Sequence, residues 1–310
     1  MINILFAAKA ASWAEYEAPL KRALDAAGLD YSLSPETDNP AAVDYIIYAP
    51  SSGITDFSPF INAKAVLGLW AGVEKITGNE TLTMPLTRMV DYGLTEGMVE
   101  WVTGHSLRHH LGMDRHILGQ DGEWRNDVPP LARDRTVAVL GLGALGGACA
   151  QALAALNFNV LGWSRRAKSI AGVACHFGTG GLDRVVSQAE ILILLLPLTS
   201  DTENLLNEQR LAQMPKGAFI INPGRGPLID DDALLKALDR GQISHATLDV
   251  FRIEPLPKTH PYWAHPQVTV TPHIASETRP DSSASVIADN IRRGEAGEPL
   301  QHVVDRNAGY

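Results

Sequence analysis

Residues 136–147 read Thr-Val-Ala-Val-Leu-Gly-Leu-Gly-Ala-Leu-Gly-Gly, a β-branched apolar run that enters a G-x-G-x-x-G turn. An alanine-rich helical stretch follows, from Ala148 to Leu156. A strand that turns sharply into a helix brings the helix's unpaired N–H groups to one point, where they attract an anion. Each glycine has a physical task in such a turn. Gly141 permits the tight bend, Gly143 lets the backbone approach a pyrophosphate, and Gly146 lets the helix pack closely on the sheet. With Leu145 between them, these residues are candidates for binding a dinucleotide. The motif begins at residue 136 of 310, so the nucleotide-binding fold is expected to follow a separate N-terminal segment.

Strand and helix signals alternate on both sides of the turn. Residues 2–8 read as a buried strand and 13–27 as an amphipathic helix ending at Gly28, with short strands at 31–33, 45–48 and 66–69. After the glycine turn, strands are expected at 159–163, 173–177, 191–196, 218–222, 247–250 and 268–271. The run Ile-Leu-Ile-Leu-Leu-Leu at 191–196 suits a parallel strand covered by helices on both faces. Between the halves, Met98, Val99, Trp101, Val102, Leu107 and Leu111 recur at helical spacing, which predicts one long helix over 95–118. An arm with Trp124 and two prolines follows it. The stretch 282–294 reads as a helix that returns to the first domain, making that domain discontinuous.

Charge narrows the partners. The 310 residues carry 35 Asp and Glu against 26 Lys and Arg, a net charge of -9, which argues against nucleic acid. No run of about 18 uncharged apolar residues occurs, so no membrane span is expected. Cys149 and Cys175 are the only cysteines. They lack metal-ligand spacing and read as free thiols of a reducing, cytoplasmic compartment. His105, His109, His110 and His116 look metal-like by composition. No Glu partner follows the zinc-protease pattern, so they read as surface or interface histidines and no metal is expected.

The end of the second strand of a dinucleotide fold meets the adenosine ribose, and an acidic residue there favours NAD. Here the chain reads Gly-Trp-Ser-Arg-Arg at 162–166. No carboxylate repels a 2′-phosphate, while Ser164, Arg165 and Arg166 offer a hydroxyl and two forked cations. NADP(H) is the expected cofactor, with NADPH preferred and NAD possible at lower efficiency.

Three further segments fall at predicted carboxyl ends of strands, where ligands of such sheets bind. They are Asn222-Pro223-Gly224-Arg225-Gly226, the Asp249-Val250-Phe251 segment that reaches Glu254-Pro255, and Thr271-Pro272-His273-Ile274-Ala275. Each alone has an ordinary structural explanation. Together, an Arg, a Glu and a His on such loops are what reduction of an anionic carbonyl compound requires.

The order of these motifs resembles the D-2-hydroxyacid dehydrogenase family over essentially the whole chain. The N-terminal half, with Leu69-Trp70-Ala71-Gly72-Val73-Glu74 and Met84-Pro85-Leu86-Thr87-Arg88, is most similar to that family's glyoxylate/hydroxypyruvate reductase A branch. The resemblance implies an α/β fold of two doubly wound parallel-sheet domains. A Rossmann-type cofactor domain (98–275) would be inserted in a discontinuous, flavodoxin-like substrate domain (1–97 and 276–310).

It also implies roles for single residues. His273 would protonate the substrate oxygen as hydride arrives, Glu254 would orient the imidazole, and Arg225 would bind the carboxylate and polarise the carbonyl. Backbone N–H groups around Trp70, Ala71 and Gly72 would hold the carboxylate from the other domain. Trp70 departs from the family's small, glycine-rich pattern, and either trims the pocket or fills the core. Leu196, Pro197, Pro223, Asp249 and Ala275 would line the cofactor, unless Asp249 instead caps its strand-end turn. The implied reaction is NADPH-dependent reduction of small 2-oxo acids, glyoxylate to glycolate and hydroxypyruvate to glycerate, and the long helix and Trp124 arm suggest a homodimer. A dehydrogenase of a bulkier 2-hydroxy acid and a non-catalytic NADP(H) sensor remain alternatives.

Overall fold

In the computed structural model, which describes residues 1–309, every pairing between named strands is parallel. Parallel neighbours need crossover connections, and helices supply them. The chain divides into two compact units, Met1–Leu94 with Glu277–Tyr310, and Thr95–Ser276.

The first unit begins with β1 (Ile2–Ala7), α1 (Ala10–Ala26), β2 (Tyr31–Ser34), β3 (Tyr45–Tyr48) and β4 (Ala65–Gly68). A single helical turn, α2 (Glu74–Thr77), and the two-residue β5 (Leu86–Thr87) follow. The strands form a five-stranded sheet in the order β2-β1-β3-β4-β5. In strand order this is the flavodoxin-like pattern. β3 and β4 are buried along their whole length, as a sheet covered on both faces requires.

Next in the chain come α3 (Tyr92–His110), whose first residues belong to the first unit, and α4 (Met113–Leu118). The sequence predicted one helix here. It breaks at Gly112, which takes the left-handed conformation with φ of 61° and redirects the chain.

The second unit continues with β6 (Thr136–Leu140), α5 (Ala144–Ala155), β7 (Asn159–Ser164), β8 (Val173–Phe177), α6 (Gly178–Val186) and β9 (Ile191–Leu194). Then come α7 (Glu208–Gln213), β10 (Ala218–Asn222), α8 (Asp231–Asp239), β11 (Ile243–Leu248) and β12 (Val268–Val270). Its seven strands run β12-β11-β10-β9-β6-β7-β8. The order reverses between β6 and β9, a switch point of the kind that opens a ligand crevice at the strands' carboxyl ends. β11 starts earlier than the sequence suggested and stops at Leu248, so Asp249 and Val250 lie beyond the strand.

The chain returns to the first unit as α9 (Pro280–Glu295). Ala284, Ile287, Ala288 and Ile291 form its buried stripe, packed with Leu20 and Leu24 of α1. No helix among the described residues is long and apolar enough to cross a membrane.

Candidate active site

The glycine turn between β6 and α5 is built by clearances that only glycine allows. Gly141 has φ of 103°, and a Cβ there would lie 2.4 Å from the Leu195 carbonyl oxygen. A Cβ on Gly146 would lie 1.8 Å from the Gly141 carbonyl oxygen. The third glycine thus makes room for the turn's own backbone. Gly143 is different, because nothing lies within 4 Å of a Cβ built there. It caps α5 without a side-chain hydrogen bond, which leaves the first N–H groups of a twelve-residue helix facing open space. That geometry fits a pyrophosphate.

At the end of β7, Ser164 is nearly buried and its hydroxyl donates to the Arg166 carbonyl at 2.7 Å. Arg165, Arg166 and Lys168 are exposed on the loop beyond, and residues 165–172 contain no carboxylate. These donors suit a 2′-phosphate, and Lys168 is a third cation that the motif reading had not counted.

The turn after β10 presents Arg225. Asn222 is buried, and its side chain accepts from Gly224 N at 3.1 Å and donates to the Arg225 carbonyl at 2.9 Å. A Cβ on Gly226 would strike the Phe251 backbone at 2.1 Å, so this turn lies directly against the 251–254 loop. On that loop Glu254 Oε1 accepts from Phe251 N at 2.8 Å, and Oε2 lies 2.8 Å from His273 Nδ1. One carboxylate therefore anchors itself to its own turn and orients the imidazole. The His273 ring is half exposed. With Nδ1 engaged, Nε2 is the nitrogen left to carry a proton to a ligand.

His273 itself sits at φ of 56°, a backbone conformation costly for a residue with a Cβ. Asp249 holds it there. The Asp249 carbonyl accepts from His273 N at 2.8 Å. Its carboxylate accepts from the Thr271 hydroxyl at 2.5 Å, Ile274 N at 2.9 Å and Ala275 N at 2.8 Å. Asp249 is 0% exposed. Its bonds run inward, to the loop that carries the imidazole. Leu196, Pro223 and Ala275 are buried as well, while Pro197 is partly exposed beyond β9.

Comparison with known proteins agrees with this geometry. The family model for the D-isomer specific 2-hydroxyacid dehydrogenase NAD binding domain matches residues 103–275. The chain belongs to that family. A glyoxylate/hydroxypyruvate reductase A from Serratia proteamaculans is 42% identical over 80% of this chain and 82% of its own length. Among solved structures, a family member from Xanthobacter autotrophicus in complex with NADPH and MES superposes with a TM-score of 0.90 at 40% identity, covering 99% of both chains. An NADPH-dependent glyoxylate/hydroxypyruvate reductase from Sinorhizobium meliloti, in complex with NADP and sulfate, gives 0.87 at 34% identity over the full length of both.

Membership makes the chain a nicotinamide-dependent dehydrogenase, and its first unit carries the loop of Trp70, Ala71 and Gly72 at the carboxyl end of β4. Trp70 O accepts from Met89 N at 3.0 Å, and Leu69 O accepts from the Thr278 hydroxyl at 2.7 Å. Trp70 is 44% exposed, so it does not fill the core, one of the two roles the sequence left open for it.

Two of the histidines read as surface or interface residues lie in the interior of the dehydrogenase's second unit instead. His109 is buried, stacked on Phe219 with ring centroids 4.8 Å apart, its Nε2 2.9 Å from the Thr247 hydroxyl. His110 is buried edge-on to Phe158. Both lie on the apolar face of α3, where aromatic packing and one hydroxyl partner take the place of solvent. Burial first, then the neighbouring His245, push His109 down to about 3. It is a neutral ring at ordinary pH. His116 is exposed on α4. Among the described residues, no three His, Cys, Asp or Glu side chains are placed to hold a metal.

Proposed function

We propose that the chain reduces glyoxylate to glycolate and hydroxypyruvate to glycerate at the expense of NADPH. The 2.8 Å contact between Glu254 and His273, on a loop beside the Arg225 turn, is the observation that carries this reading. The Gly143 cradle with Ser164, Arg165 and Arg166 would hold NADPH, which would supply hydride for the substrate's carbonyl carbon. Arg225 binds the carboxylate and polarises the carbonyl, so the charge that develops on oxygen meets a fixed cation. His273 delivers its Nε2 proton to that oxygen, and the products are the 2-hydroxy acid and NADP⁺. Glu254 keeps the ring oriented throughout. The 70–72 loop of the first unit contributes N–H groups to carboxylate recognition, and Trp70, half exposed, sets the pocket's preference for short acids.

The enzyme works as a cytoplasmic homodimer in this reading. Ile117, Leu118, Trp124, Val128 and Leu131 are between 64% and 95% exposed on one stretch of the second unit. Such a concentration of exposed apolar side chains calls for a protein partner, and a second copy is the simplest one. Burial pushes the Cys149 thiol up to about 12, so it stays protonated and unreactive.

The direct test follows NADPH consumption with glyoxylate, hydroxypyruvate, pyruvate and phenylpyruvate, repeated with NADH. Turnover is expected to be fastest with the two short polar acids and NADPH. Preference for phenylpyruvate would replace the substrate while leaving the family intact. Tight NADPH binding without any turnover would reject catalysis in favour of a sensor.

A further inference from the structure

Residues 302–306 return along β5 in the first unit. Val304 N donates to Leu86 O at 2.8 Å, Arg88 N donates to His302 O at 3.0 Å, and Thr87 and Val303 form an antiparallel bridge. Val304 is buried in one cluster with Val73, Ile76, Leu82 and Leu86. These contacts already fix the segment to the sheet. Arg306 then reaches past them to the loop that follows α2. Its Nε donates to Thr77 O at 3.0 Å, and its two terminal nitrogens donate to the carbonyls of Leu82 and Asn79.

The recipient loop is tied on its other side by Asn79 Nδ2, which donates to Thr55 O at 2.7 Å, and by the Thr81 hydroxyl, which accepts from Phe57 N at 2.8 Å. α2 is one turn long, too short to persist by its own hydrogen bonds, and it begins two residues after Gly72. At its end Ile76 O accepts from Asn79 N at 3.0 Å, and Thr77 O is the carbonyl taken up by Arg306. On its inner side lies an apolar cavity of about 10 Å³ lined by Tyr48, Trp70, Gly72, Val73, Ile76 and Leu86. An unfilled gap gives up the dispersion contacts that would otherwise resist movement. A planar, permanently charged fork spread over three carbonyls adds a further restraint at the opposite end of the same short segment.

We infer that Arg306 is a positioning residue for substrate recognition: by clamping the carbonyls of Thr77, Asn79 and Leu82 it fixes where the 70–72 backbone presents its N–H groups. The inference rests on the proposed role of that loop in binding the substrate carboxylate. Arg306 touches neither substrate nor cofactor. Its removal lets the loop drift toward the cavity, which weakens carboxylate binding and leaves the nucleotide site of the other unit unaltered.

The test uses the full chain with Arg306→Ala, Arg306→Lys and, as a separate probe of the loop, Gly72→Pro, which deletes one backbone N–H. Arg306→Ala is expected to raise KM for glyoxylate about tenfold, with kcat and the NADPH dissociation constant within about twofold of wild type. Arg306→Lys falls between, because an ammonium cannot span three carbonyls in one plane. Added methylguanidinium lowers the KM of Arg306→Ala and leaves that of the wild type unchanged. An unaltered KM in Arg306→Ala, with KM raised in Gly72→Pro, overturns the role of Arg306 alone. An unaltered KM in both overturns the loop reading beneath it. A parallel loss of kcat, KM, NADPH affinity and melting temperature in Arg306→Ala, without guanidinium rescue, makes the residue a general anchor of the fold and also overturns the inference.

Discussion

Asp249→Asn separates two roles that the sequence alone could not distinguish. The carboxylate is fully buried and accepts three hydrogen bonds, from the Thr271 hydroxyl and the Ile274 and Ala275 amides. Asparagine has the same shape but one acceptor oxygen. If that oxygen keeps the Thr271 and Ile274 donors, the new amide nitrogen faces Ala275 N, donor against donor. A buried amide left without a partner costs about 1–3 kcal/mol, and two charge-assisted bonds become neutral ones at about half their strength. The sum is about 2–4 kcal/mol. In a unit of this size that lowers the melting temperature by roughly 4–16 °C. The catalytic effect is expected to be larger than the thermal one. His273 is held at φ of 56° by this hydrogen-bond set, and relaxing it moves the imidazole relative to Arg225. A shift of about 1 Å in a catalytic group costs on the order of a hundredfold in rate. The assay is steady-state reduction of glyoxylate beside fluorescence titration of NADPH. kcat should fall about a hundredfold while the NADPH dissociation constant moves less than about twofold. A weakened NADPH affinity with kcat preserved would refute the positioning argument and return Asp249 to the cofactor site.

Other consequences follow from the same geometry. Replacing both Arg165 and Arg166 by Ala should raise KM for NADPH by at least about tenfold and leave KM for NADH unchanged, since only the former carries a 2′-phosphate; equal losses with both cofactors would mean that the arginines serve the whole nucleotide. Stability should fall as pH drops below about 6.5. His109 and His245 are pushed down to about 3 and about 4 by burial, so the unfolded chain binds protons there that the native protein refuses. By linkage the unfolded state gains from about pH 6.5 downward, and at pH 5 His109 alone costs up to about 2 kcal/mol. Melting temperatures between pH 8 and pH 5 in wild type and His109→Gln should show a shallower decline in the variant, and parallel curves would contradict the assignment. Trp124→Ser should shift the protein from dimer to monomer by light scattering if the exposed apolar stretch is the subunit interface; a monomeric wild type would remove the premise.

Periodicity and turn chemistry made most of the architecture legible. Apolar runs such as residues 191–196 suit strands covered on both faces, as β9 is over Ile191–Leu194, and the glycine turn declares its helix by needing one. The misreadings share a cause. Apolar spacing continues through Leu111, so the pattern of α3 runs past its end, and only the left-handed backbone at Gly112 breaks it. Nor does spacing carry depth. His105 and His109 lie four apart on one helix face, but nothing in that interval says whether the face meets solvent or Phe219.

The site shows the same boundary between what residue identity carries and what only packing decides. Arg225, Glu254 and His273 are legible because their chemistry is unusual for strand-end loops and their motifs are contiguous. Asn222, Asp249 and Arg306 act through bonds to backbone, and a backbone partner leaves no residue type in the sequence to pair with. Asp249 reaches amides of residues 274 and 275, and Arg306 reaches carbonyls more than two hundred positions away. A motif reading therefore finds groups of unusual chemistry before it finds the groups that hold them still. Where a residue sits inside a motif, as Asp249 does, the motif leaves both roles open to it. The direction of a carboxylate, inward to a loop or outward to a cofactor, is set by which donors the fold leaves unpaired around it. Here three converge on Asp249, from the Thr271 hydroxyl and the amides of Ile274 and Ala275.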